Sequence, residues 1–143
     1  MTELDEKQQR GLEFITEVMG EKFGEGIRTI ATGDGFGSQI ARMSAGWAFS
    51  DAWLDQGLQR KEKSIAVIAL LIALRQEAEL KNHVKIGVAN GLTVSELEGL
   101  LIQVTPYVGL PSVASATTAV IEALREEGIL LDGIRTHKEM GLL

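Results

Sequence analysis

The stretch IAVIALLIAL, residues 65–74, constrains the fold of this chain more than any other feature. A helix over these residues is apolar on every side, so every side has to be covered. About 20 apolar residues are needed to span a bilayer, and this run is far shorter. It therefore predicts a helix in the middle of a bundle or at a contact between subunits, and it gives no reason to expect a membrane partner.

Apolar residues elsewhere recur at helical spacing, as Leu12, Ile15 and Val18 do near the N-terminus. No segment shows the alternation of a strand. A chain of 143 residues suits one domain. We therefore expect an all-α fold, a single domain over residues 1–143, built as a bundle of about six to seven helices.

Local signals predict where several helices begin and end. Thr93 followed by Glu96 is a capping box, which starts a helix directly after the stop at Asn90-Gly91. The glycine-rich GDGFG at residues 33–37 follows no strand, so it predicts a loop rather than a phosphate cradle.

Two further helix boundaries are predicted less directly. We expect Ser38 to cap a helix that runs to about Leu54, with an inward face formed by Ile40, Met43, Trp47 and Leu54. We expect Pro106 and Gly109 to interrupt the chain after the next-to-last helix.

Composition excludes several classes of function. The net charge of −6 and the lack of a basic patch argue against a nucleic-acid partner. The absence of cysteine excludes disulfides, a CxxC redox centre and a thiolate zinc site. The absence of cysteine also fits the cytoplasmic location that we expect, and the N-terminus MTELDEKQQR is not a signal peptide or a transit peptide. HExxH and Glu-x-x-His pairs are missing, and we expect no bound metal.

Glu79 and His83 are the first candidates for chemistry. They are four residues apart in a helical stretch, so they share a face. A carboxylate beside an imidazole orients it and raises its pKa, and such a pair can act as a general acid or base. The alternative is a surface pair, or a histidine that only packs.

Other candidates stand at the predicted breaks. Arg60 and Lys63 open the apolar helix, where the helix dipole disfavours cations, and they can hold a substrate carboxylate or form a solvated helix start. Tyr107 can donate to an enolate or pack with its hydroxyl satisfied. Trp53 fits the core or the wall of a pocket.

Five blocks between about Phe49 and Pro111 carry a resemblance through their order and spacing: FSDAWLDQGL (49–58), GLQRKEKS (57–64), LRQEAELKNHV (74–84), NGLTVSELEGLLIQ (90–103) and YVGLP (107–111). Together they resemble the carboxymuconolactone decarboxylase family. The resemblance implies an all-helical fold that assembles as trimers or hexamers.

The family has two branches, and the residues separate them. One resembles alkylhydroperoxidases and uses a CxxC followed by a histidine; this chain keeps His83 but has Gln76 and Glu79 at the cysteine positions. The other decarboxylates γ-carboxymuconolactone without a cofactor, in aromatic catabolism. Its usual arginines are replaced here by Ile15, Thr16 and Asp55, which favours a less anionic substrate.

The resemblance implies a cofactor-independent decarboxylase acting on a small-molecule lactone or keto carboxylic acid through an enolate-like intermediate. His83 would be the acid/base, Glu79 its orienting carboxylate, and Arg60 or Lys63 the anion grip, with Tyr107 and Trp53 in the pocket. Two alternatives stay open. One is a related lyase, isomerase or cyclase on a less anionic substrate, and the other is a non-catalytic helical oligomer that binds a small molecule.

Overall fold

The computed structural model describes residues 1–129 and 132–142, and every regular element in that part of the chain is helical. The all-α prediction is confirmed. No helix among these residues is long and apolar enough to cross a membrane. The elements are α1 (Glu6–Met19), α2 (Glu21–Thr32), α3 (Ser38–Met43), a π-helical segment (Ser44–Ala52), α4 (Arg60–Ala73), α5 (Glu77–Ala89), α6 (Val94–Val108) and α7 (Leu110–Glu126).

The predicted capping box is confirmed. The Thr93 hydroxyl accepts a hydrogen bond from the backbone N–H of Glu96 at 3.1 Å, and the Glu96 carboxylate accepts one from the N–H of Thr93 at 2.9 Å. These bonds satisfy amides that a helix N-terminus leaves unpaired. A second box, formed by Asp5 and Gln8, starts α1 in the same way.

The chain forms two compact units, Met1–Arg60 and Lys61–Leu143. In the first unit α1 packs against α2 and the π-helical segment. Gly11 permits the second contact, because a Cβ at this position would lie 1.8 Å from the carbonyl oxygen of Ala45. The core of this unit contains Leu4, Leu12, Ile15, Ala31 and Ala45.

In the second unit α5 and α6 pack against α7. Small side chains on α7, at Ala116, Ala119 and Ala123, are buried at this contact and permit close packing. The larger core residues around them are Ile68, Ile72, Leu80, Val84, Leu92, Leu97, Leu100, Val120 and Leu124.

The helix predicted from Ser38 to Leu54 differs in both its cap and its inward face. Gly37, with φ of 91°, is the N-cap, and Ser38 is the first helical residue. Three of the four residues expected inward are exposed: Ile40 is 69% exposed, Met43 55% and Trp47 68%, while Leu54 is half-buried. The buried face of the π-helical segment is formed instead by Ala45 and Ser50, and the backbone of Ala45 is where α1 approaches at Gly11.

The prediction that Pro106 breaks the chain is wrong. Pro106 lies inside α6, which continues to Val108 and ends at Gly109 with φ of 89°. A proline in the last turn removes only one helical hydrogen bond. The glycine, which adopts this φ without a Cβ penalty, is what ends the helix.

The apolar run forms α4, but it is not covered on every side. Ser64, Ile68 and Ile72 form its buried face, while Ile65 and Leu70 stay exposed, as does Leu74 beyond the end of the helix. The prediction that this helix is buried on every side is therefore wrong for a single copy of the chain. The alternative, a contact between subunits, stays a prediction for this surface.

Candidate functional site

Glu79 and His83 lie on one helix, α5, as predicted. This helix belongs to the second unit. The inner face of α5 is formed by Leu80, Val84 and Gly87. His83 is half-buried at the edge of this face, and Glu79 is exposed one turn earlier. The Nδ1 atom of His83 is inaccessible to solvent. Proton exchange at this imidazole is therefore a property of Nε2.

Burial decides the charge of His83. Desolvation lowers the pKa of the imidazole from its usual 6.5, and the charge of Glu79 opposes this without overcoming it. The expected rise in pKa beside the carboxylate is therefore wrong in its net direction, because the loss of hydration outweighs one exposed partner. At pH 7 His83 is neutral and suited to accept a proton.

Two other predicted residues lie in the second unit. Lys63 is half-buried in the first turn of α4, directly before the fully buried Ser64. The hydroxyl of Ser64 accepts a hydrogen bond from the side-chain amide of Asn90 at 3.1 Å. Tyr107 is 82% exposed near the end of α6.

Arg60 and Trp53 lie in the first unit, where both contact Phe14. The indole stacks on the phenyl ring with centroids 5.5 Å apart. The guanidinium carbon of Arg60 lies 4.8 Å from the same centroid. Arg60 also donates to both carboxylate oxygens of Glu17, at 2.6 and 3.3 Å, and this lowers the pKa of Glu17. A substrate carboxylate would have to share this arginine.

The second unit also contains a cavity that no sequence motif predicted. Its volume is about 180 Å³. Its polar lining includes Arg75, Glu77, Ser112 and Ser115, and His83 is not part of it. The sequence does not mark these positions, because they come from the end of α4, the start of α5 and the start of α7. Their meeting depends on how α5 packs against α7.

Metal-ligating side chains do not converge in the described part of the chain. Within residues 1–129 and 132–142, no group of three or more His, Asp or Glu side chains is placed to hold an ion.

An all-helical protein with a half-buried histidine and a neighbouring carboxylate on one helix has the components of a small acid/base enzyme. The model of the carboxymuconolactone decarboxylase family matches residues 39–122, and this chain belongs to that family.

Two relatives agree with this assignment. A 4-carboxymuconolactone decarboxylase of Acinetobacter baylyi is 32% identical over 125 residues, which cover 87% of this chain and 92% of the relative. A nitrosuccinic acid decarboxylase of Metarhizium robertsii is 27% identical over 106 residues, which cover 74% of this chain and 73% of the relative.

Proposed function

We propose that this protein is a cofactor-independent decarboxylase of a lactone or keto carboxylic acid, in the catabolism of aromatic compounds, with His83 as its acid/base. The observation that carries the proposal is the half-buried His83 beside Glu79 on α5, in a chain that is similar to two proteins named decarboxylases. The relatives support a decarboxylase-like lyase. The substrate, the pathway and the residue roles are our proposal.

The reaction needs a place for electrons and a source for one proton. When the C–C bond to the carboxylate breaks, CO₂ leaves and the electron pair moves into the conjugated carbonyl, which becomes an enolate. A bound anion beside His83 raises the pKa of the imidazole, so His83 takes up a proton on substrate binding. The Nε2–H then protonates the enolate carbon, and the neutral imidazole is restored.

Four further residues are proposed to bind substrate, Lys63 and Tyr107 in the second unit and Arg60 and Trp53 in the first. Lys63 and Arg60 are the candidate anion grips, and Arg60 is already oriented by Glu17 and Phe14. Trp53 is the candidate apolar wall. Tyr107, exposed in one copy, is the candidate enolate donor. Its role requires either a closed pocket or a neighbouring subunit.

The packing of α1 supports a substrate less anionic than γ-carboxymuconolactone, and with it a related lyase, isomerase or cyclase as the second candidate. Ile15 is 2% exposed in the core of the first unit. Thr16 faces Gly24 so closely that a Cβ on the glycine would lie 2.0 Å from its hydroxyl oxygen. Neither position has room for the arginine expected from the parent reaction, so that grip cannot be restored by a single substitution.

We further propose that the chain works as a homo-oligomer, a trimer or hexamer, in the cytoplasm. The stripe formed by Ile40, Met43 and Trp47 is apolar, exposed and aligned along α3 and the π-helical segment. Surfaces of this kind mark interaction sites. A second copy would also cover the exposed residues of α4.

To test the proposal, turnover of γ-carboxymuconolactone and of keto acids with one carboxylate is measured as the release of CO₂. His83→Gln should lower kcat by about 100-fold or more, as loss of a general acid or base does. The matched control is His137→Gln, which changes the other histidine and should leave turnover unchanged. Equal turnover by wild type and His83→Gln would remove the assigned role, and CO₂-free conversion of the substrates would favour the isomerase.

A further inference from the structure

We infer that the cavity at the end of α4 is a binding site for a small monocarboxylate, with Arg75 as its anion-binding residue. The inference is independent of the proposed decarboxylation and concerns residues that the reaction does not use. It starts from the backbone of Arg75. This is the one described non-glycine residue with a positive φ, at 55°.

Arg75 occupies the position that ends α4. The N–H of Gln76 donates to the carbonyl of Leu71 at 3.0 Å, and the N–H of Arg75 donates to the carbonyl of Ile72 at 3.2 Å. This pattern closes a helix with a left-handed residue, and glycine is the residue that usually takes that place. An arginine there carries a steric cost that glycine would avoid. A residue kept at such a cost points to a role for its side chain.

The guanidinium of Arg75 is fixed at the cavity wall. Its Nε donates to the hydroxyl of Ser112 at 3.1 Å, and Ser112 is 6% exposed. Both residues line the cavity. Neither Nη1 nor Nη2 has a hydrogen-bond or ion-pair partner among residues 1–129 and 132–142. The Nε bond therefore orients a fork of N–H groups, which matches the two oxygens of a carboxylate.

The rest of the lining limits the ligand. Leu71, Ile72, Leu80, Pro111 and Ala116 form an apolar wall. The hydroxyl of Ser115 is a further polar group, and the first turns of α5 and α7 add positive potential. Glu77 lines the same cavity and repels a second negative charge. The site therefore favours one carboxylate with a short apolar tail over a dicarboxylate.

The volume sets the size of that tail. A water molecule occupies about 30 Å³ in the liquid, so the cavity of about 180 Å³ holds roughly six waters. Butyrate has a similar number of non-hydrogen atoms, and it is the probe we would use. Its affinity should be about millimolar, as expected for a ligand of this size.

The experiment is an NMR titration of the whole protein with butyrate, which follows the Arg75 Nε–H signal and the amides of Ser112 and Ser115. We expect saturable shifts with butyrate, and weaker binding of butyramide, which lacks the charge, and of succinate, which carries a second one. Absence of saturable binding to the wild type would overturn the inference.

Arg75→Gly separates an effect on binding from an effect on folding, because glycine adopts the left-handed backbone conformation of this position without steric cost. We expect this variant to keep or raise the Tm and to weaken butyrate binding by about tenfold or more, the loss expected with a bidentate charged hydrogen bond. Glu77→Gln should strengthen binding by removing repulsion. The control Arg10→Gln removes an equal charge in the first unit and should change nothing. Unchanged binding in Arg75→Gly, or a lowered Tm with binding retained, would show that Arg75 only ends a helix.

Discussion

The charge of the His83 imidazole depends on two opposing effects, the nearby Glu79 carboxylate and burial. The Glu79 carboxylate favours the protonated form of His83, and burial favours the neutral form and prevails. The sequence predicted that both residues share a helix face, which follows from spacing alone. It could not predict which effect is larger, because the burial of His83 depends on how α5 packs against the rest of its unit.

We predict a pKa below 6.5 for His83, measured by NMR titration of its ring protons. The unfolded chain then binds this proton more readily than the folded one, so the contribution to stability is full above pH 6.5 and falls as pH drops towards the folded pKa. Glu79→Gln should lower the pKa further, since the carboxylate raises it. A pKa above 6.5 in the wild type would contradict the prediction.

Gly11 supports a second prediction at the residue scale. Gly11→Ala should destabilise the protein by about 1–3 kcal/mol, the usual cost of overpacking, because the new methyl group meets a backbone carbonyl that cannot move aside. The free energy of unfolding in denaturant measures this.

Gly26 offers the matched control for Gly11. It lies inside α2, and a Cβ added at this position would have no neighbouring atom within 4 Å. Gly26→Ala should stabilise the protein by about 0.5–1 kcal/mol through helix propensity. The same loss in both variants would mean that close packing at Gly11 is not the cause.

At the scale of elements, ion pairs connect α5 to α7. The carboxylate of Glu126 accepts from Lys81 at 2.7 Å and from Lys85 at 2.5 Å. These two bonds lower the pKa of Glu126 to about 2. Because the groups are partly exposed, the gain in stability is modest, below about 1 kcal/mol for each pair.

We predict that Glu126→Gln lowers the Tm at pH 7 and that the difference from wild type shrinks in acid. A depressed carboxyl pKa contributes stability that is present above about pH 4.5 and is lost as pH falls towards about 2. High salt should shrink the difference too. Glu98→Gln is the control, since Glu98 is exposed and has no ion-pair partner in the described chain. A similar Tm loss there would indicate a general charge effect.

The ends of helices could be predicted where side chains within one turn determine them. The Thr93–Glu96 box and the stop before Gly91 depend on residues within one turn, and both were predicted correctly. The end of α4 carries no such local signal, because Arg75 takes the left-handed position without a glycine or proline beside it.

At the scale of the whole molecule, the main surface feature that one copy of the chain does not explain is a set of exposed apolar side chains. We predict that Trp47→Glu dissociates the proposed oligomer, because a charge at the end of the Ile40–Met43–Trp47 stripe would have to be buried without a partner. Sedimentation velocity measures the change in mass. Gln56→Glu adds the same charge in the turn before α4 and should leave the oligomer intact. A wild-type chain that sediments as a monomer would contradict the prediction.

The sequence could predict the fold class but not the way its large apolar residues are divided between core and surface. Helical periodicity assigns Ile40, Met43 and Trp47 to one face, and that grouping is correct. Which face turns inward was decided by the close approach at Gly11, a contact between positions far apart in the chain.

The π-helical segment Ser44–Ala52 has a consequence for comparing this chain with its relatives. Loss of one residue from the segment would return it towards α-helical pitch. Because an α-helix turns further per residue than a π-helix, the shorter segment would keep the residues after it close to their present orientation. Trp53 follows directly, so its ring would stay near the face of Phe14. A one-residue gap in an alignment at this place is therefore compatible with aromatic residues at both positions.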